Sequence, residues 1–389
     1  MKFFQFVLLM LIGTIAQGNS LDYLIENISQ NNPRLMALQK WIDAQEAEAR
    51  TGIFPDNPFI GYSHLLGNPD NIGNQQELEI TMSFKLPWYY KSKSTIQNLE
   101  FRQKQLLADK EKREILHQTR TVYFHLVWLH KKESLLKARN QEAETLVSLM
   151  EEGFQRGEIS RPVYDKSRIF AIGIHNDLQK TQSDINIYTQ QLVQLNGGAT
   201  LDKLIYDYPV HWVLPEFDTM ISQVLQNNPI MSVAHLKVEQ SESEVRHQRI
   251  SNWPSFEAGY RSEAILNQRL QGFHAGITIP LWQNANRVQS ARLNYDWSQA
   301  NLHQQEIELN SEISRIHNEA AATLNNYNQI KALMIDQNIA SDNLELLRSG
   351  HISFAEYIVD AGFIWDAQNQ VLYLENTYFI LLSKLNSML

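Results

Sequence analysis

Apolar residues recur along this chain in two rhythms, and each rhythm occurs twice. From about residue 91 to 150 there is neither proline nor glycine, and Val122, Leu126, Leu129, Leu136, Ala143, Val147 and Met150 step by 4, 3, 7, 7, 4 and 3. That spacing predicts a helix whose apolar seam is shared with neighbouring helices. From about residue 284 to 349 proline and glycine are again absent, and Ile313, Ile316, Ala320, Tyr327, Ile330 and Met334 keep one face apolar. At about 1.5 Å per residue, helices of this length span roughly 90 to 100 Å, several times the ordinary globular helix. The remaining positions are rich in Gln, Asn, Glu and Lys, as helices that share one seam and otherwise meet water require.

The second rhythm has period two. Leu78, Ile80, Met82, Phe84 and Leu86 alternate with Glu77, Glu79, Thr81, Ser83 and Lys85; Phe273, Ala275, Ile277, Ile279 and Leu281 alternate with Gly272, His274, Gly276, Thr278 and Pro280. These predict strands over about 76–86 and 271–281, with partners over 59–66 and 255–262 joined by polar loops near 67–75 and 263–269. Period two by itself fits a half-buried soluble hairpin as well as a membrane barrel strand. Trp88, Tyr89, Tyr90 and Trp282 stand where the strands end, as aromatics do at a lipid–water interface, and favour the barrel. Four strands cannot close one, since the smallest membrane barrels have about eight. Several chains must contribute, and a trimer supplying twelve strands is the simplest solution.

The two rhythms belong to one duplication. Asn31-Asn32-Pro33 recurs as Asn227-Asn228-Pro229 at an offset of 196, Gly61-Tyr62 as Gly259-Tyr260 at 198, Leu86-Pro87 as Ile279-Pro280 at 193, and Gly157-Glu158-Ile159-Ser160 as Gly350-His351-Ile352-Ser353 also at 193. Four anchors in one order imply two similar halves around a pseudo-symmetry axis. The expected layout is a leader over 1–18, a first repeat over 19–199, a linking segment over 200–227 and a second repeat over 228–389.

Each long helix ends in a turn and a further helix. Gly157 and Gly350 stand where a helix C-terminus wants a residue tolerant of positive φ, and Ser160 and Ser353 then cap the next helix. Pro162 sits in the first turn, where its missing N–H costs little. The turns are therefore the tips of two helical hairpins. Ile159 and Ile352, apolar residues at these tips, are expected to project outward as a docking surface.

The N-terminus places the chain outside the cytoplasm. Lys2, an apolar run from Phe3 to Ile15 and the small-x-small triplet Ala16-Gln17-Gly18 predict a signal peptide cleaved before Asn19. The run is shorter than the roughly 20 residues of a spanning helix. No cysteine follows the cleavage site to carry a lipid anchor. With 0 Cys in 389 residues, packing and assembly must hold the exported protein without disulfides. The formal charge of −9 argues against a nucleic-acid partner and leaves cationic cargo open. After residue 20 no apolar stretch is long enough for a spanning helix, so a bilayer could be crossed only through the strands.

Catalysis has little to stand on. There is no nucleophilic cysteine, H-E-x-x-H, G-x-S-x-G or glycine-rich phosphate loop, and no cofactor is expected. His117, His125, His130, His235, His247 and His317 are scattered along helices; His125 and His130, five apart, do not share a face, so no metal site is expected. Gly197-Gly198 reads as a helix stop.

The duplicated plan, the Asn-Pro opening of each repeat, the proline after the second and fourth strands and the Gly-x-x-Ser tip turns resemble the TolC family of trimeric outer-membrane efflux ducts, over about Leu21 to Leu389. The resemblance implies an α+β membrane protein: a duplicated, long α-helical coiled-coil barrel in the periplasm, and four strands per chain in a shared twelve-stranded barrel in the outer membrane of a Gram-negative bacterium. It further implies an outer-membrane lipid environment and, as partners, the other chains of a homotrimer, a periplasmic adaptor (membrane fusion) protein at the tips, and an inner-membrane pump. The Asn57-Pro58 opening of the first strand is similar to outer-membrane components of heavy-metal efflux driven by resistance-nodulation-division pumps. Drug export and type I protein secretion are the alternatives within the family, and a soluble periplasmic coiled-coil adaptor the alternative outside it. In the family an acidic residue lies six positions after the second tip glycine and another nine after. Glu356 fills the first position here; the second is Val359, with Asp360 one step later. Glu356 and Asp360, four apart on a helix, share a face and are the expected periplasmic gate.

Overall fold

The structure, a computed structural model, describes residues 20–69, 72–201, 204–334 and 339–389. The leader and its cleavage site lie outside them. Helices α1 (Ser20–Asn31) and α2 (Pro33–Glu48) lead into strands β1 (Phe59–Leu65) and β2 (Gln75–Phe84), followed by α3 (Pro87–Gln155) and α4 (Arg161–Leu195). The order then repeats as α5 (Phe217–Asn227), α6 (Pro229–Ser251), β3 (Ser255–Ile265), β4 (Gln268–Thr278), α7 (Arg287–Met334), α8 (Ile339–Arg348) and α9 (Phe354–Met388). The counterpart of α3 is thus α7 with α8; residues 335–338, within the single helix expected over 284–349, lie outside the described set.

The duplicated Asn-Asn-Pro is a helix break with its own cap. Asn32 Oδ1 accepts the N–H groups of Arg34 and Leu35 at 3.0 and 3.1 Å, and Asn228 Oδ1 accepts that of Ile230 at 2.9 Å. Proline follows each at the first helical position, where no N–H is needed. Both asparagines are buried. The Asn32 amide is spent as well, donating to the Leu195 carbonyl at 2.8 Å.

The chain divides into two compact units. One comprises Met1–Met36, Arg113–Phe217 and Ile313–Met388; the other Ala37–Lys112 and Asp218–Glu312, with Leu389. In the first, Leu21, Leu24 and Ile28 of α1 pack on Val122, Tyr123, Phe124, Leu126 and Val127 of α3, with Leu192 and Tyr208 completing the core. The Tyr123 hydroxyl donates to the Ile205 carbonyl at 2.8 Å, and Tyr208 stacks on Phe379 at 4.4 Å, which holds the segment after α4 against the helices. Of the seven seam residues of α3, six are buried and Val147 is half-buried while Leu146 is fully enclosed. A straight helix of 3.6 residues per turn drifts from a strict seven-residue repeat, so the buried position moves by one residue over a few turns.

The second unit holds the sheet. All four strands are antiparallel neighbours in the order β1-β2-β3-β4, so the two repeats join where β2 meets β3, with Ile80 opposite Tyr260 and Thr81 opposite Gly259. The strands over 59–66 and 255–262 and their partners form, with altered ends. The polar loop expected over 263–269 is a two-residue turn, Leu266-Asn267, with φ of 46° and 64°; ladder pairs run on to Ile265 and Gln268. Two left-handed residues match the twist of a tight hairpin. β2 ends at Phe84 because Pro87 already opens α3, and β4 ends at Thr278, two residues before Pro280, which has no N–H for a ladder. Helices α6 and α7 meet through the buried hydroxyls of Ser241 and Ser298, 2.7 Å apart.

Candidate functional site: helical tips and strand faces

The two tips have the same backbone. Gly157 and Gly350 both lie at φ +76°. Gly157 N–H donates to Phe154 O at 3.0 Å and Glu158 N–H to Gly153 O at 2.8 Å; Gly350 N–H donates to Leu347 O at 3.1 Å and His351 N–H to Leu346 O at 2.9 Å. This paired 5→2 and 6→1 arrangement satisfies the last carbonyls of a helix and requires a left-handed residue at its centre. A Cβ on either glycine would meet nothing within 4 Å, so the turns select glycine by conformation and present open space outside.

The capping of the following helices differs between repeats. Ser353 Oγ accepts the Glu356 N–H at 3.2 Å, and Glu356 Oε2 accepts the Ser353 N–H at 2.7 Å, a reciprocal capping box at the start of α9. Ser160 makes no side-chain cap bond, and Val163 occupies the position that Glu356 holds in the second copy. The backbone and hydroxyl bonds from Ser353 hold the Glu356 carboxyl below the usual carboxylate range. Glu356 therefore has a structural task beyond the gate expected for it. Asp360 is exposed one turn further along α9.

Ile159 and Ile352 do not project. Both are half-buried and pack into one apolar cluster with Leu146, Met150, Leu347 and Tyr357, which brings the two tips together. The residues left exposed there are Gly157, Glu158, Ser160, Gly350, His351 and Ser353. Apolar surface is offered by Phe154, Val359 and Phe363 instead.

Above the tips lies a group that sequence reasoning missed. Arg139 of α3, only 4% exposed, donates to Gln368 Oε1 at 2.7 Å and the Trp365 carbonyl at 3.2 Å, both on α9. Its guanidinium lies 4.9 Å from the Trp365 ring centre, and Trp365 stacks on Phe170 of α4 at 5.3 Å. Burial lowers the Arg139 pKa to about 10, so the group stays charged at neutral pH, held by neutral acceptors and an aromatic face. Nothing in a single sequence marks an arginine as interior.

The expected interfacial aromatics divide. Trp88 and Trp282 are exposed, whereas Tyr89 and Tyr90 are half-buried; the Tyr90 hydroxyl accepts the Lys85 N–H at 3.0 Å and Tyr89 packs on His247 at 4.9 Å. Trp253, not expected from the sequence, is exposed beside Trp88 with ring centres 5.6 Å apart.

The sheet has a mainly apolar and a mainly polar face, with Phe59, Leu65 and Leu270 on the polar side and Arg269 on the apolar one. Ladder register places Ile60 and Tyr62, Leu78, Ile80 and Met82, Tyr260, and Phe273 and Ile277 on one side. Glu77, Glu79, Glu257, Glu263, Arg261 and His274 lie on the other. In β2 the burial is the reverse of a soluble hairpin: Leu78, Ile80 and Met82 are exposed while Glu77 and Glu79 are half-buried, and Phe273 of β4 is 92% exposed. On the polar face Arg261 pairs with Glu77, His274 lies 3.5 Å from Glu257, and Gln75 donates to Glu263 at 2.6 Å. Four carboxylates thus face one arginine and one histidine. Among the described residues the outer edges of β1 and β4 have no partner strand.

His117 and His130 are engaged within the fold, whereas His235 is exposed. His117 lies 2.9 Å from Ser383 Oγ, and burial lowers its pKa to about 4; His130 stacks on Tyr206 at 4.5 Å. Among the described residues no group of three or more His, Asp or Glu is placed to hold a metal ion, and no helix is long and apolar enough to cross a membrane.

The same fold occurs in solved outer-membrane proteins, channels among them. VceC, an outer membrane protein of Vibrio cholerae, matches with a TM-score of 0.80 over 95% of both chains at 14% sequence identity. CusC, whose structures concern folding and transmembrane channel formation, matches with a TM-score of 0.73 over 95% of this chain and 92% of its own at 16% identity. The CmeC outer membrane channel of Campylobacter jejuni gives 0.68 over 95% and 84% at 16% identity. No protein-family model matches the sequence, and no curated protein does.

Proposed function

We propose that the chain is a passive outer-membrane export duct of a tripartite efflux system, working as a homotrimer in a Gram-negative envelope. One observation carries this reading: a four-stranded sheet with most of its apolar side chains exposed on one face, its carboxylates on the other and, among the described residues, both edges unpaired. Water does not stabilise such a sheet, and lipid does not satisfy its open edges. Three copies joined edge to edge give twelve strands, with lipid outside and carboxylates inside.

The remaining parts take roles accordingly. Residues 19–199 and 228–389 form the two repeats, and 200–227 links them at the equator of a periplasmic tunnel. Trp88 and Trp282, with Tyr89 and Tyr90 beneath, mark the lipid–water boundary. Gly157, Ser160, Gly350 and Ser353 form the surface that meets a periplasmic adaptor, with Ile159 and Ile352 bracing it from within. Glu356 and Asp360 line the periplasmic gate. A resistance-nodulation-division pump in the inner membrane supplies the work. An inward face carrying Glu77, Glu79, Glu257 and Glu263 suits cationic cargo, metal ions included.

Fractionation and mass measurement test the assignment. A heat-resistant trimer recovered with the outer membrane is the expected result; a soluble periplasmic monomer would replace the duct with a coiled-coil adaptor.

A further inference from the structure

Three helices of the first compact unit leave a groove that a passive duct does not need. On α3, His117, Lys131 and Arg139 meet Ser383, Glu375 and Gln368 of α9. On α7, Ala320 packs with Tyr378, and Tyr327 meets the same Glu375. Rising positions on α3 and α7 thus lie beside falling positions on α9, so α9 is antiparallel to both. Residues three and four apart share a helix face: Lys131 and Leu135 on α3, Lys331 and Met334 on α7, and Val371, Leu372 and then Glu375 on α9. The helix directions sort these stripes. Lys131, Lys331 and Glu375 gather at the end away from the tips, while Leu135, Met334, Val371 and Leu372, all half-buried, line the groove toward them.

The charged end does not balance. Lys131 pairs with one oxygen of Glu375 at 2.8 Å, Lys331 donates to the Tyr327 hydroxyl at 2.6 Å, and that hydroxyl donates to the other Glu375 oxygen at 3.3 Å. Both oxygens of the carboxylate are engaged, and among the described residues Lys331 reaches Glu375 only through the hydroxyl. The bond to Tyr327 raises the Lys331 pKa above its ordinary value, so the ammonium stays charged at neutral pH. Two ammonium groups share one carboxylate, which leaves one positive charge beside an apolar trough. Gln368, at the tip end, has its amide oxygen committed to Arg139 at 2.7 Å and offers a cation no acceptor.

We propose that this groove binds an aliphatic monocarboxylate, its head at Lys331 and Lys131 and its chain along Leu135, Met334, Val371 and Leu372. A mostly apolar cleft with a few convergent polar groups is the usual form of a small-molecule site. The cavity is about 360 Å³. At roughly 30 Å³ per water in the liquid, that is the space of about twelve waters, and an acid of about ten carbons has that many non-hydrogen atoms. The site goes beyond the duct reading and is independent of it, since neither the strands nor a second copy contributes a residue.

A decanoate carrying a diazirine near its methyl end tests the assignment on the full-length protein in lipid nanodiscs, with the photolabelled positions mapped by mass spectrometry. Label is expected on the peptides that carry Leu135, Met334 and Leu372. Decanoate should displace it about tenfold better than decanamide, the weight of one hydrogen bond to a charged group, and octyltrimethylammonium should not displace it. In Lys331→Met, an exposed position whose change leaves the helix intact, decanoate should lose that advantage over decanamide, while Lys331→Arg keeps it. Leu372→Trp, which fills the trough, should abolish the label. Label spread along the helices without preference, no label at all, equal displacement by acid and amide in the unaltered protein, or an undiminished advantage of decanoate in Lys331→Met would each overturn the site.

Discussion

Alanine at Gly157 and alanine at Gly153, four residues apart on one turn, should have opposite effects. Gly157 lies at φ +76°, and a Cβ added there would meet nothing within 4 Å, so Gly157→Ala carries a conformational cost and no steric one. A left-handed conformation costs an L-residue about 1–2 kcal/mol, a factor of roughly 5 to 30 in the equilibrium for opening the turn. Gly153 is inside helix α3, and a Cβ there would meet Ile159 Cγ1 at 3.5 Å, ordinary contact. Gly153→Ala should therefore gain up to about 1 kcal/mol of helix propensity. Hydrogen exchange by mass spectrometry on the full-length protein reads both. The amides of residues 157 and 158, which close the turn, should exchange faster in Gly157→Ala and slower in Gly153→Ala. Gly350→Ala should act on residues 350 and 351 as Gly157→Ala does on its own turn. Unchanged exchange in Gly157→Ala, or shifts of one sign in both variants, would refute the conformational account.

The capping difference between repeats predicts that Ser353→Ala destabilises the start of α9 by about 1 kcal/mol, while Ser160→Ala, which loses no cap bond, leaves α4 unchanged; local exchange separates them. In single-channel recordings the duct should be cation-selective and blocked from the periplasmic side by divalent or trivalent cations, and Glu356→Gln with Asp360→Asn should weaken both properties; unchanged selectivity would return both residues to helix capping and solvated surface. Burial depresses the folded pKa of His117 to about 4, below the roughly 6.5 of a free imidazole, so the neutral side chain contributes stability that is complete above about pH 6.5 and lost as pH falls toward 4. His117→Gln should flatten the thermal stability between those limits, and an equally steep profile in that variant would assign the acid sensitivity elsewhere.

Much of the fold was legible because duplication and periodicity are properties of sequence. The Asn-Asn-Pro breaks, the tip glycines and the period-two strands each follow from local backbone chemistry, and each forms where that chemistry places it. What depended on contacts across the chain was less visible. The seam of α3 passes from Val147 to Leu146, because 3.6 residues per turn drifts from a strict seven-residue repeat. Ile159 and Ile352 look exposed beside a turn, yet the turns fold them back onto Tyr357 and its neighbours. Arg139 reads as a surface residue until α9 brings the Trp365 carbonyl and Gln368 to it. The Ser353–Glu356 box, in contrast, is written in the chain as S-x-x-E at a helix start, and the gate role expected of Glu356 hides it.

Pairing of β2 with β3 joins residues 180 positions apart, Ile80 with Tyr260, and this separation governs how the molecule is made. Loop closure over such a distance must precede any gain from the ladder, and contacts of high sequence separation form slowly. During synthesis the first hairpin waits through α3, α4, the linking segment, α5 and α6 with its apolar residues bare and both edges open, the condition under which strands join the wrong neighbour. Neither repeat can protect the other until the last strands arrive. Shielding of the first hairpin until β3 arrives is therefore as much a requirement of this topology as the ladder that finally forms.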